Sequence, residues 1–369
     1  MPKKKVVICG GGIIGASTAH YLSVLDTSKT LDITVIERKS VACHSSGKAG
    51  GFLALDWHSS HTECLAELSF RLHEELANTL NADIGYRRVH TYSVSSRPSR
   101  SSQGNVLKEN DEFWVDGNIR KKETIGTQTT TAQVHPFILT NELMNSAMKN
   151  SVKLKIGEVI GINEDQNHKI SHVRLSDGSR LETDVIVIAM GAWSFQAAGF
   201  FPLCKDAFNV TGSRAHSVVL EANVPPEAIF IHHIDENGKS HEPEIYPRPD
   251  GTVYVCGEAD DATLPDDPSL IVPDPDASEN LQHMAASLSS HLKDAKLLKA
   301  QACFLPGSPD GIPIIGKLPF YTEAYVGTGH SCWGILNGPA TGKCLAQVIL
   351  GKTSDVDLTY FSPKRFLYA

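Results

Sequence analysis

Residues 3–38 read KKKVVICGGGIIGASTAHYLSVLDTSKTLDITVIER, and this stretch decides the fold. Residues 6–9 are a short apolar run, typical of a buried strand, that leads directly into three consecutive glycines. Gly10, Gly12 and Gly15 have the G-x-G-x-x-G spacing, which allows a tight turn, a close backbone approach to a pyrophosphate and close packing of a helix on the strand. The motif alone is weak, because glycine-rich turns are common, so its context decides.

The sequence after the glycines supplies that context. From Ile13 to Leu25 apolar residues recur at helical intervals, so a helix N-terminus would present free amides and the positive end of its dipole to a diphosphate. Residues 33–36 form a second strand pattern that ends at Glu37, whose carboxylate can accept hydrogen bonds from both hydroxyls of an adenosine ribose. The ordered set predicts a bound adenine dinucleotide. The motif leaves the choice between FAD and NAD open.

The composition is that of an ordinary globular protein. The chain has 369 residues, of which 41% are hydrophobic and 21% charged, and this length suits two domains or one domain with a large insertion. The net charge of −8 gives no electrostatic basis for binding nucleic acid or an anionic bilayer. The longest apolar stretch, residues 185–190, is far shorter than a bilayer requires. We therefore expect no nucleic-acid partner and no membrane span.

The eight cysteines contain no C-x-x-C pair. Neither a zinc site nor a disulfide framework is therefore expected, and no other metal cluster is suggested. The apolar run before the glycines is also too short for a secretory signal peptide. These features predict reduced thiols, no bound metal and a cytoplasmic location.

A stretch of small residues, VACHSSGKAGGFLALDW over residues 41–57, follows Glu37 and Arg38 almost directly. It is too rich in small residues for a standard helix and too apolar for a solvated loop. Backbone amides and hydroxyls of residues 45–51 could contact a second length of an extended cofactor. A flexible loop is the alternative interpretation.

The rest of the chain changes pattern several times. Helical periodicity is predicted over residues 62–80 and 133–149. After Asp184, residues 185–190 are apolar throughout, as expected of a parallel strand buried on both faces. Residues 209–302 are instead rich in strands and turns, with a hairpin expected at residues 249–251. The Ser/Arg-rich tract at residues 93–104 predicts a solvated loop, with a phosphorylation or partner site as the alternative.

These patterns predict an α/β fold with two domains. Residues 1–85, 132–208 and 303–369 would form a discontinuous domain that binds the dinucleotide. Residues 86–131 and 209–302 would form an inserted, mainly antiparallel β domain that binds the substrate.

Five blocks, taken in order, resemble the FAD-dependent oxidoreductase superfamily that contains D-amino-acid oxidase, glycine oxidase and sarcosine oxidase. They are CGGGIIGASTAHYL with Glu37 and Arg38, SSGKAGG, DVIVIAMGAWS, SPDGIPIIG and GTGHSCWGILNGPATGK. The resemblance runs nearly end to end and is greatest to fungal members of unassigned substrate. It implies FAD as the cofactor, a Rossmann-like FAD-binding domain with a mostly parallel sheet, and a substrate domain whose sheet covers the flavin.

The resemblance also implies how the cofactor is held. The glycine motif would hold the pyrophosphate, Glu37 the ribose, residues 45–51 the ribityl chain and phosphates, and the backbone of Val159 the adenine. Residues 329–336 would lie against the pyrimidine edge of the flavin. The implied cofactor-binding set is Gly10, Gly12, Ile13, Ile14, Gly15, Glu37, Arg38, Ser45, Ser46, Gly47, Lys48, Ala49, Gly50, Gly51, Val159, Gly191, Trp193, Gly329, His330, Gly334, Ile335 and Leu336.

Two positions depart from the family pattern. Glycine oxidase and its relatives have one arginine just before the proline of one block and another inside the G-H block, and together these bind the substrate carboxylate. This chain has Leu305 before Pro306. It has Ser331, Cys332 and Trp333 inside the second block. Because an unpaired carboxylate in a dry pocket is costly, small amino acids bound in the family's manner are not expected.

Four residues are candidates for catalysis. Tyr246 and Arg248 stand two apart on a predicted strand, so both would project from the sheet over the flavin and could bind a carboxylate or polar head group. Arg248 could instead make a surface or interdomain ion pair. Lys48 either approaches the flavin, where it would polarise oxygen, or contacts phosphate. His330 is expected to act through its backbone, with its ring as a hydrogen-bond partner.

His44 stands where some relatives attach the flavin covalently, and a packing or hydrogen-bonding role is the alternative. The resemblance implies oxidation of the C–N bond of an amine or amino-acid-like small molecule by hydride transfer to flavin N5. Molecular oxygen or another acceptor would receive the electrons. Two other functions stay open: an FAD-binding interaction or trafficking factor that uses residues 93–104, and a nicotinamide-dependent reductase.

Overall fold

The structure is a computed structural model that describes residues 2–97, 113–235 and 237–367. Its strands are β1 Lys4–Cys9, β2 Leu31–Glu37, β3 Phe52–Ala54, β4 Arg87–Arg88, β5 His90–Ser96, β6 Ile119–Gly126, β7 Thr131–Gln133, β8 Lys153–Ile156, β9 Val159–Glu164, β10 Ile170–Leu175, β11 Arg180–Glu182, β12 Val185–Ile188, β13 Thr211–Glu221, β14 Glu227–Ile234, β15 Ser240–His241, β16 Glu244–Pro247, β17 Thr252–Asp260, β18 Lys296–Gly307, β19 Ile314–Lys317 and β20 Ala324–Thr328. Its α-helices are α1 Ile13–Leu25, α2 Ser45–Lys48, α3 Glu63–Thr79, α4 Pro136–Lys149, α5 Pro275–Leu288 and α6 Gly334–Ile349.

The first sheet has six strands in the order β19-β20-β12-β1-β2-β8. The neighbours β20, β12, β1, β2 and β8 are parallel, and only β19 at one edge is antiparallel. Every residue of β12 is buried, as its continuous apolar run predicted. Parallel strands end at the same edge of a sheet, so the loops after β1, β2 and β12 lie together.

Helices and a small sheet cover the two faces of this first sheet. Helices α1, α3, α4 and α6 share one hydrophobic core with alternate residues of β1 and β2. Helix α6 packs tightly on α1, because a Cβ at Gly342 would lie only 2.4 Å from the side chain of Ser17. The opposite face packs on the antiparallel sheet β11-β10-β9 and on residues 191–208.

The second large sheet has eight strands, in the order β18-β13-β17-β16-β14-β5-β6, with β15 paired to β14. All its pairings are antiparallel except that of β14 with β5. Its outer face packs on α5. Its inner face carries a separate cluster that includes Tyr246 and Tyr254. The predicted hairpin at residues 249–251 is confirmed as the turn between β16 and β17.

This arrangement gives the α/β fold expected from the sequence. We propose the division stated above, with residues 1–85, 132–208 and 303–369 as the cofactor domain and residues 86–131 and 209–302 as the substrate domain. Among the described residues, no helix is long and apolar enough to cross a membrane. Within the same ranges, no group of three or more His, Cys, Asp and Glu side chains is placed to hold a metal ion.

Two local expectations were wrong. Residues 45–48 form a helical turn, in which the amides of Gly47 and Lys48 both donate to the carbonyl of His44. The turn packs closely against the preceding segment, because a Cβ at Gly47 would lie 2.0 Å from the carbonyl oxygen of Ala42. Residues 93–96 belong to β5 and pair with both β14 and β6, so the Ser/Arg-rich tract is not a loop at its start. Residues 98–104 lie outside the described residues.

Candidate cofactor and substrate site

A long cleft opens where β1, β2 and β12 end. It encloses about 1240 Å³ between atoms, its open mouth included. Its walls include Cys9 at the end of β1, Glu37 at the end of β2 and Met190 just after β12. Leu305 and Pro306 of β18 close one end. The cleft therefore lies between the parallel sheet and the second sheet.

The glycine turn after β1 leaves no room for side chains. Gly10 has φ +113°, and a Cβ there would lie 2.2 Å from the carbonyl oxygen of Ala189. A Cβ at Gly15 would lie 1.9 Å from the carbonyl oxygen of Gly10. These two glycines let α1 start close against the strand, which directs its N-terminus into the cleft.

The first turn of α1 is available to an anion. The N-cap residue is Gly12, so no N-cap side chain accepts a hydrogen bond from the amides of the first turn. The amide of Ile13 donates to Ser46 Oγ at 2.9 Å, and both residues line the cleft. A helix N-terminus with such amides binds phosphate oxygens well.

Glu37 is fixed beside this turn. Its Oε2 accepts from the amide of Gly11 at 2.7 Å, and its Oε1 accepts from the amide of Lys39 at 3.0 Å. Arg38 pairs with Glu158 at 2.9 Å and also donates to the carbonyl of Asp266. The carboxylate thus faces the cleft with its orientation set by backbone, as ribose recognition requires.

His44 is an unpaired polar side chain in the wall of the cleft. Both its ring nitrogens are buried without a hydrogen-bond partner in the described chain. The ring meets Trp193 edge-on, with centroids 4.5 Å apart. Burial, with a smaller effect of Lys48, lowers the pKa of His44 to about 3, so the ring is neutral at physiological pH. A neutral imidazole with two free positions is a ready partner for a polar ligand.

Taken together, these observations test whether the residues of the cleft fit a bound FAD. The glycine turn admits a close backbone approach, α1 offers its first turn to a diphosphate, and Glu37 can accept from a ribose. His44 offers unused hydrogen-bonding capacity. The residues present therefore fit an extended dinucleotide.

The short helix α2 is tied to β18 of the second sheet. Ser45 Oγ donates to the carbonyl of Phe304 at 2.7 Å, and Lys48 Nζ donates to the carbonyl of Ala302 at 2.9 Å. Burial lowers the pKa of Lys48. The ammonium of Lys48 is therefore engaged by backbone, and Lys48 is not part of the cleft wall.

The glycine-rich block before α6 forms another part of the wall. Gly329 has φ +76° and Ser331 has φ +49°, so the chain turns sharply on both sides of His330. His330 is buried, and its Nε2 lies 2.9 Å from Thr341 Oγ1. Burial lowers its pKa to about 3. The N-terminus of α6, at Gly334, faces the same cleft.

Most of the predicted cofactor residues line the cleft together. These are Gly10, Gly12, Ile13, Ile14, Glu37, Arg38, Ser45, Ser46, Ala49, Val159, Gly191, Trp193, His330, Gly334 and Ile335. The others, Gly15, Gly47, Lys48, Gly50, Gly51, Gly329 and Leu336, lie outside its wall. Gly51 is an example, since a Cβ there would lie 2.0 Å from the carbonyl oxygen of Val134. Such a glycine allows close backbone packing next to the wall without lining the cleft itself.

Tyr246 and Arg248 also lie outside this wall. The hydroxyl of Tyr246 donates to Glu244 Oε2 at 2.5 Å. Arg248 follows the last residue of β16 and donates to the carbonyl of Ala49 at 3.0 Å. Its guanidinium carbon lies 5.1 Å from the ring centroid of Tyr254, and burial lowers its pKa.

Sequence reasoning missed several residues of the wall. Thr328 Oγ1 accepts from Ser194 and donates to the carbonyl of Gly191 at 3.0 Å, which braces the turn after β12. Pro268 also lines the cleft, and the nearby carbonyl of Pro265 accepts from the indole of Trp193 at 2.8 Å. Thr328 could have been found, because it lies in the GTGHSCWGILNGPATGK block and at the end of a parallel strand. No local motif marks Pro268.

The parallel sheet, the glycine turn and the placed carboxylate define an α/β protein that binds an adenine dinucleotide. Residues 5–348 match the family described as FAD dependent oxidoreductase, abbreviated DAO. The chain belongs to this family, and FAD is the cofactor on which the family depends.

Individual relatives agree with this assignment. A provisionally named oxidoreductase of Schizosaccharomyces pombe is 30% identical, with 98% of each chain covered. Glycine oxidase of Pseudomonas putida is 24% identical, again with 98% of each chain covered. The structure of glycine oxidase from Geobacillus kaustophilus superposes with a TM-score of 0.80 at 22% identity and covers 99% of each chain, which shows the shared fold.

Proposed function

We propose that this protein uses FAD to oxidise the C–N bond of an amine or amino-acid-like small molecule, with hydride transfer to flavin N5. Molecular oxygen or another acceptor would then receive the electrons. The observation that carries the proposal is the shared wall of the cleft. There Leu305 and Pro306 of β18 line the cleft together with Ser331 and Cys332 before α6, and Gly307 pairs with His330, so a small molecule in this part of the cleft would lie beside both segments.

The side chains of this chain would hold the cofactor and exclude water. When bound, FAD supplies a two-electron acceptor. The first turn of α1 and Ser46 would bind the diphosphate, and Glu37 the ribose. The N-terminus of α6 favours negative charge at the end of the cleft that Gly334 lines.

The two histidines in the described wall are weak bases, and the carboxylate of Glu244, whose charge acts on Cys332, lies outside the wall. His330 and His44 are neutral, and the low pKa of each makes it a weak proton acceptor. An amine that arrives neutral needs no such base, because its nitrogen lone pair forms the C=N bond as hydride leaves the carbon. Water would then convert the imine to a carbonyl compound and an amine. The weakly basic wall is compatible with this chemistry.

Anaerobic bleaching of the flavin tests the proposal. FAD-loaded protein is mixed with a panel of amines, N-methyl amino acids and D-amino acids in the absence of oxygen. We expect at least one compound to bleach the flavin absorbance within seconds to minutes. If no compound bleaches it, while dithionite still does, the proposed chemistry is wrong.

The alternative functions have less support. A trafficking or interaction role would use residues 93–104. The structure describes residues 93–97 of this tract: residues 93–96 belong to the paired strand β5, and residue 97 follows it. A nicotinamide-dependent reductase conflicts with the FAD-dependent family. We also propose the cytoplasm as the location, since the cysteines with described positions are all free.

A further inference from the structure

The inner face of the second sheet carries a half-buried carboxylate, Glu244, at the start of β16. Glu244 pairs directly with Phe230 of β14 on one side and with Cys256 of β17 on the other. Alternate residues of a strand share a face, so Tyr246 lies on the same side as Glu244. Ile245, between them, points into the opposite core against α5.

Aromatic rings pack beside this carboxylate. The ring of Phe52 lies 5.1 Å from that of Phe230 and 5.5 Å from that of Tyr246. The indole of Trp57 lies 4.9 Å from Phe230 and 5.1 Å from Phe52. We call Phe52, Trp57, Phe230 and Tyr246 the aromatic cluster. Phe52, Trp57 and Phe230 are only half-buried, so ring surface stays accessible.

Glu244 and the aromatic cluster adjoin the cleft. Gly50 lies flat against Tyr246, since a Cβ there would be 2.5 Å from its ring, and the preceding Ala49 lines the cleft. The charge of the Glu244 carboxylate also acts on Cys332, which lines the cleft. Burial raises the pKa of the Cys332 thiol, and the negative charge of Glu244 adds to the rise.

The carboxylate of Glu244 has no cationic partner among the residues with described positions. Its Oε2 accepts from the hydroxyl of Tyr246 at 2.5 Å and from the thiol of Cys256 at 3.5 Å. Burial raises its pKa and the negative charge of Glu242 raises it further, whereas the hydrogen bonds from Tyr246 and Cys256 lower it. Arg248, the arginine nearest in the chain, donates to the carbonyl of Ala49 instead. A partly desolvated carboxylate without a cation is unfavourable, so a positive ligand would stabilise it.

Aromatic faces beside a carboxylate suit one kind of ligand. A methylated or free ammonium is attracted both by the ring faces and by the negative charge. A substrate carboxylate would be repelled by Glu244 and would find only Leu305 where the family has an arginine. The charge of the pocket thus opposes amino acids.

We propose that Glu244 and the aromatic cluster bind a positively charged nitrogen of the substrate, so that the preferred substrates are small amines with a second, cationic nitrogen and no carboxylate. This inference rests on the proposed oxidation of an amine. It assigns Glu244 as the residue that determines the charge of the substrate.

Choline and its neutral carbon analogue 3,3-dimethylbutanol provide a matched pair of probes. Each is titrated anaerobically into FAD-loaded protein, and the tryptophan fluorescence and flavin spectrum report binding. We expect choline to bind about tenfold more tightly than the neutral analogue. Glycine betaine, which adds a carboxylate to the same cation, should bind more weakly than choline. Absence of choline binding, or equal affinity for choline and the neutral analogue, would overturn the inference.

The variant Glu244→Gln tests the carboxylate itself. It should remove most of the preference for choline, about tenfold in Kd, and leave the Kd of dimethylbutanol within about twofold. Glu242→Gln is the matched control, since the Glu242 side chain is 83% exposed and lies 3.9 Å from His232. An unchanged preference in Glu244→Gln would overturn the inference. If this variant does not retain FAD, Trp57→Leu replaces it, with a selective loss of choline binding as the expected result and equal loss for both probes as the contradicting one.

The two proposals fail in distinguishable ways. If choline binding depends on Glu244 but no amine bleaches the flavin, the cation site stands and the proposed oxidation is wrong. If amines bleach the flavin equally well in wild type and Glu244→Gln, and carboxylate-bearing substrates are preferred, the oxidation stands and the cation site is wrong.

Discussion

At the scale of single residues, the hydrogen bonds of Glu37 explain how one carboxylate can set cofactor choice. Backbone amides of Gly11 and Lys39 hold its two oxygens, so the side chain is oriented before a ligand arrives. A preoriented acceptor favours a ribose with two free hydroxyls. The same position would repel a 2′-phosphate.

Replacing Glu37 with arginine should therefore weaken FAD retention. We expect the Kd of FAD to rise about 10- to 100-fold in Glu37→Arg, because charged hydrogen bonds to the ribose are lost and a cation takes their place. The flavin-to-protein ratio after desalting measures this. Asp32→Asn, also on β2 but paired with exposed Lys153, is the control. Full flavin content in Glu37→Arg would contradict the assigned role.

Arg248 presents a choice between binding substrate and bracing the fold. It is 9% exposed, and a side-chain hydrogen bond to the carbonyl of Ala49 joins the turn after β16 to the segment after α2. Its Nε has no partner among the described residues, so the group is not saturated. The contacts favour a bracing role.

The variant Arg248→Leu should lower protein stability more than substrate affinity. We expect a loss of about 1–3 kcal/mol in the free energy of unfolding, measured by thermal or urea denaturation. The Kd of any amine that bleaches the flavin should change less than about threefold. A Kd raised by about two decades at unchanged melting temperature would show instead that Arg248 binds a substrate carboxylate.

Sequence reasoning could place residues in the cleft where a motif fixes backbone geometry, and their roles toward FAD are predictions. Gly10, Glu37 and Gly191 lie in the cleft wall because their positions follow from the order of strands and turns. Glu244 could not be found in this way. Its environment depends on Phe230, Cys256 and Cys332, which come from three separate parts of the chain, and only the folded sheet brings them together.

At the scale of elements, the contact between β1 and α1 governs the cofactor site. Gly15 is the closest approach, since its missing Cβ would lie 1.9 Å from the carbonyl oxygen of Gly10 and 3.4 Å from the side chain of Ile8. The helix cannot move away without leaving the core it shares with α6. This contact therefore sets the direction of the α1 N-terminus.

Adding one methyl group at Gly15 should disturb this contact. We expect Gly15→Ala to lower the melting temperature and to remove most bound FAD, because the backbone oxygen it meets cannot yield as a flexible side chain would. Gly199→Ala is the matched control, since a Cβ there meets no atom within 4 Å. Flavin content and melting temperature measure both variants. Equal behaviour of the two would contradict this reading of the turn.

The elements predicted least well were those whose local sequence is ambiguous. Residues 45–48 have weak helix-forming residues, yet they form one turn because Gly47 fits against Ala42 and Ser45 and Lys48 bond to β18. Tertiary contacts decided that segment. By contrast, the continuous apolar run of β12 predicted its burial correctly, because few other structures accommodate such a run.

At the scale of the whole molecule, several histidines are buried and neutral. Burial lowers the pKa of His20 and His73 to about 4 and that of His330 to about 3. Unfolded histidine titrates near pH 6.5. Between these values the unfolded chain binds more protons than the folded one, so the free energy of unfolding falls as the pH decreases below about 6.5.

We expect the melting temperature to fall steeply between about pH 6.5 and pH 5. Each such histidine contributes on the order of 1 kcal/mol per pH unit in this window. His73→Gln should flatten the dependence, because it removes one group that titrates in this window. The glutamine can still donate to the carbonyls of Ile335 and Leu336, which lie 3.0 and 3.1 Å from His73 Nε2. His283→Gln, at a 76% exposed side chain, should leave it unchanged. A flat profile in the wild type would contradict the buried, neutral state of these rings.

The overall architecture could be predicted because it depends on ordered blocks spread along the chain. Residues 5–348 belong to one FAD-dependent family, and the parallel sheet and the second sheet take the places that the blocks imply. The substrate could not be predicted in the same way. Leu305 and Cys332 stand where the resemblance implies arginines, and the surroundings of Glu244 come from separate strands rather than from any local pattern.

The most direct test of the proposed function is the stoichiometry of a single anaerobic turnover. FAD-loaded protein is mixed with an excess of an amine from the panel, and the reduced flavin and the carbonyl product are quantified in the same sample. We predict one carbonyl product for each FAD reduced, because oxidation of one C–N single bond to C=N transfers one hydride, and so two electrons, from the carbon to one FAD. Bleaching without carbonyl product, or no bleaching by any amine, would contradict the oxidation of a C–N bond by this protein.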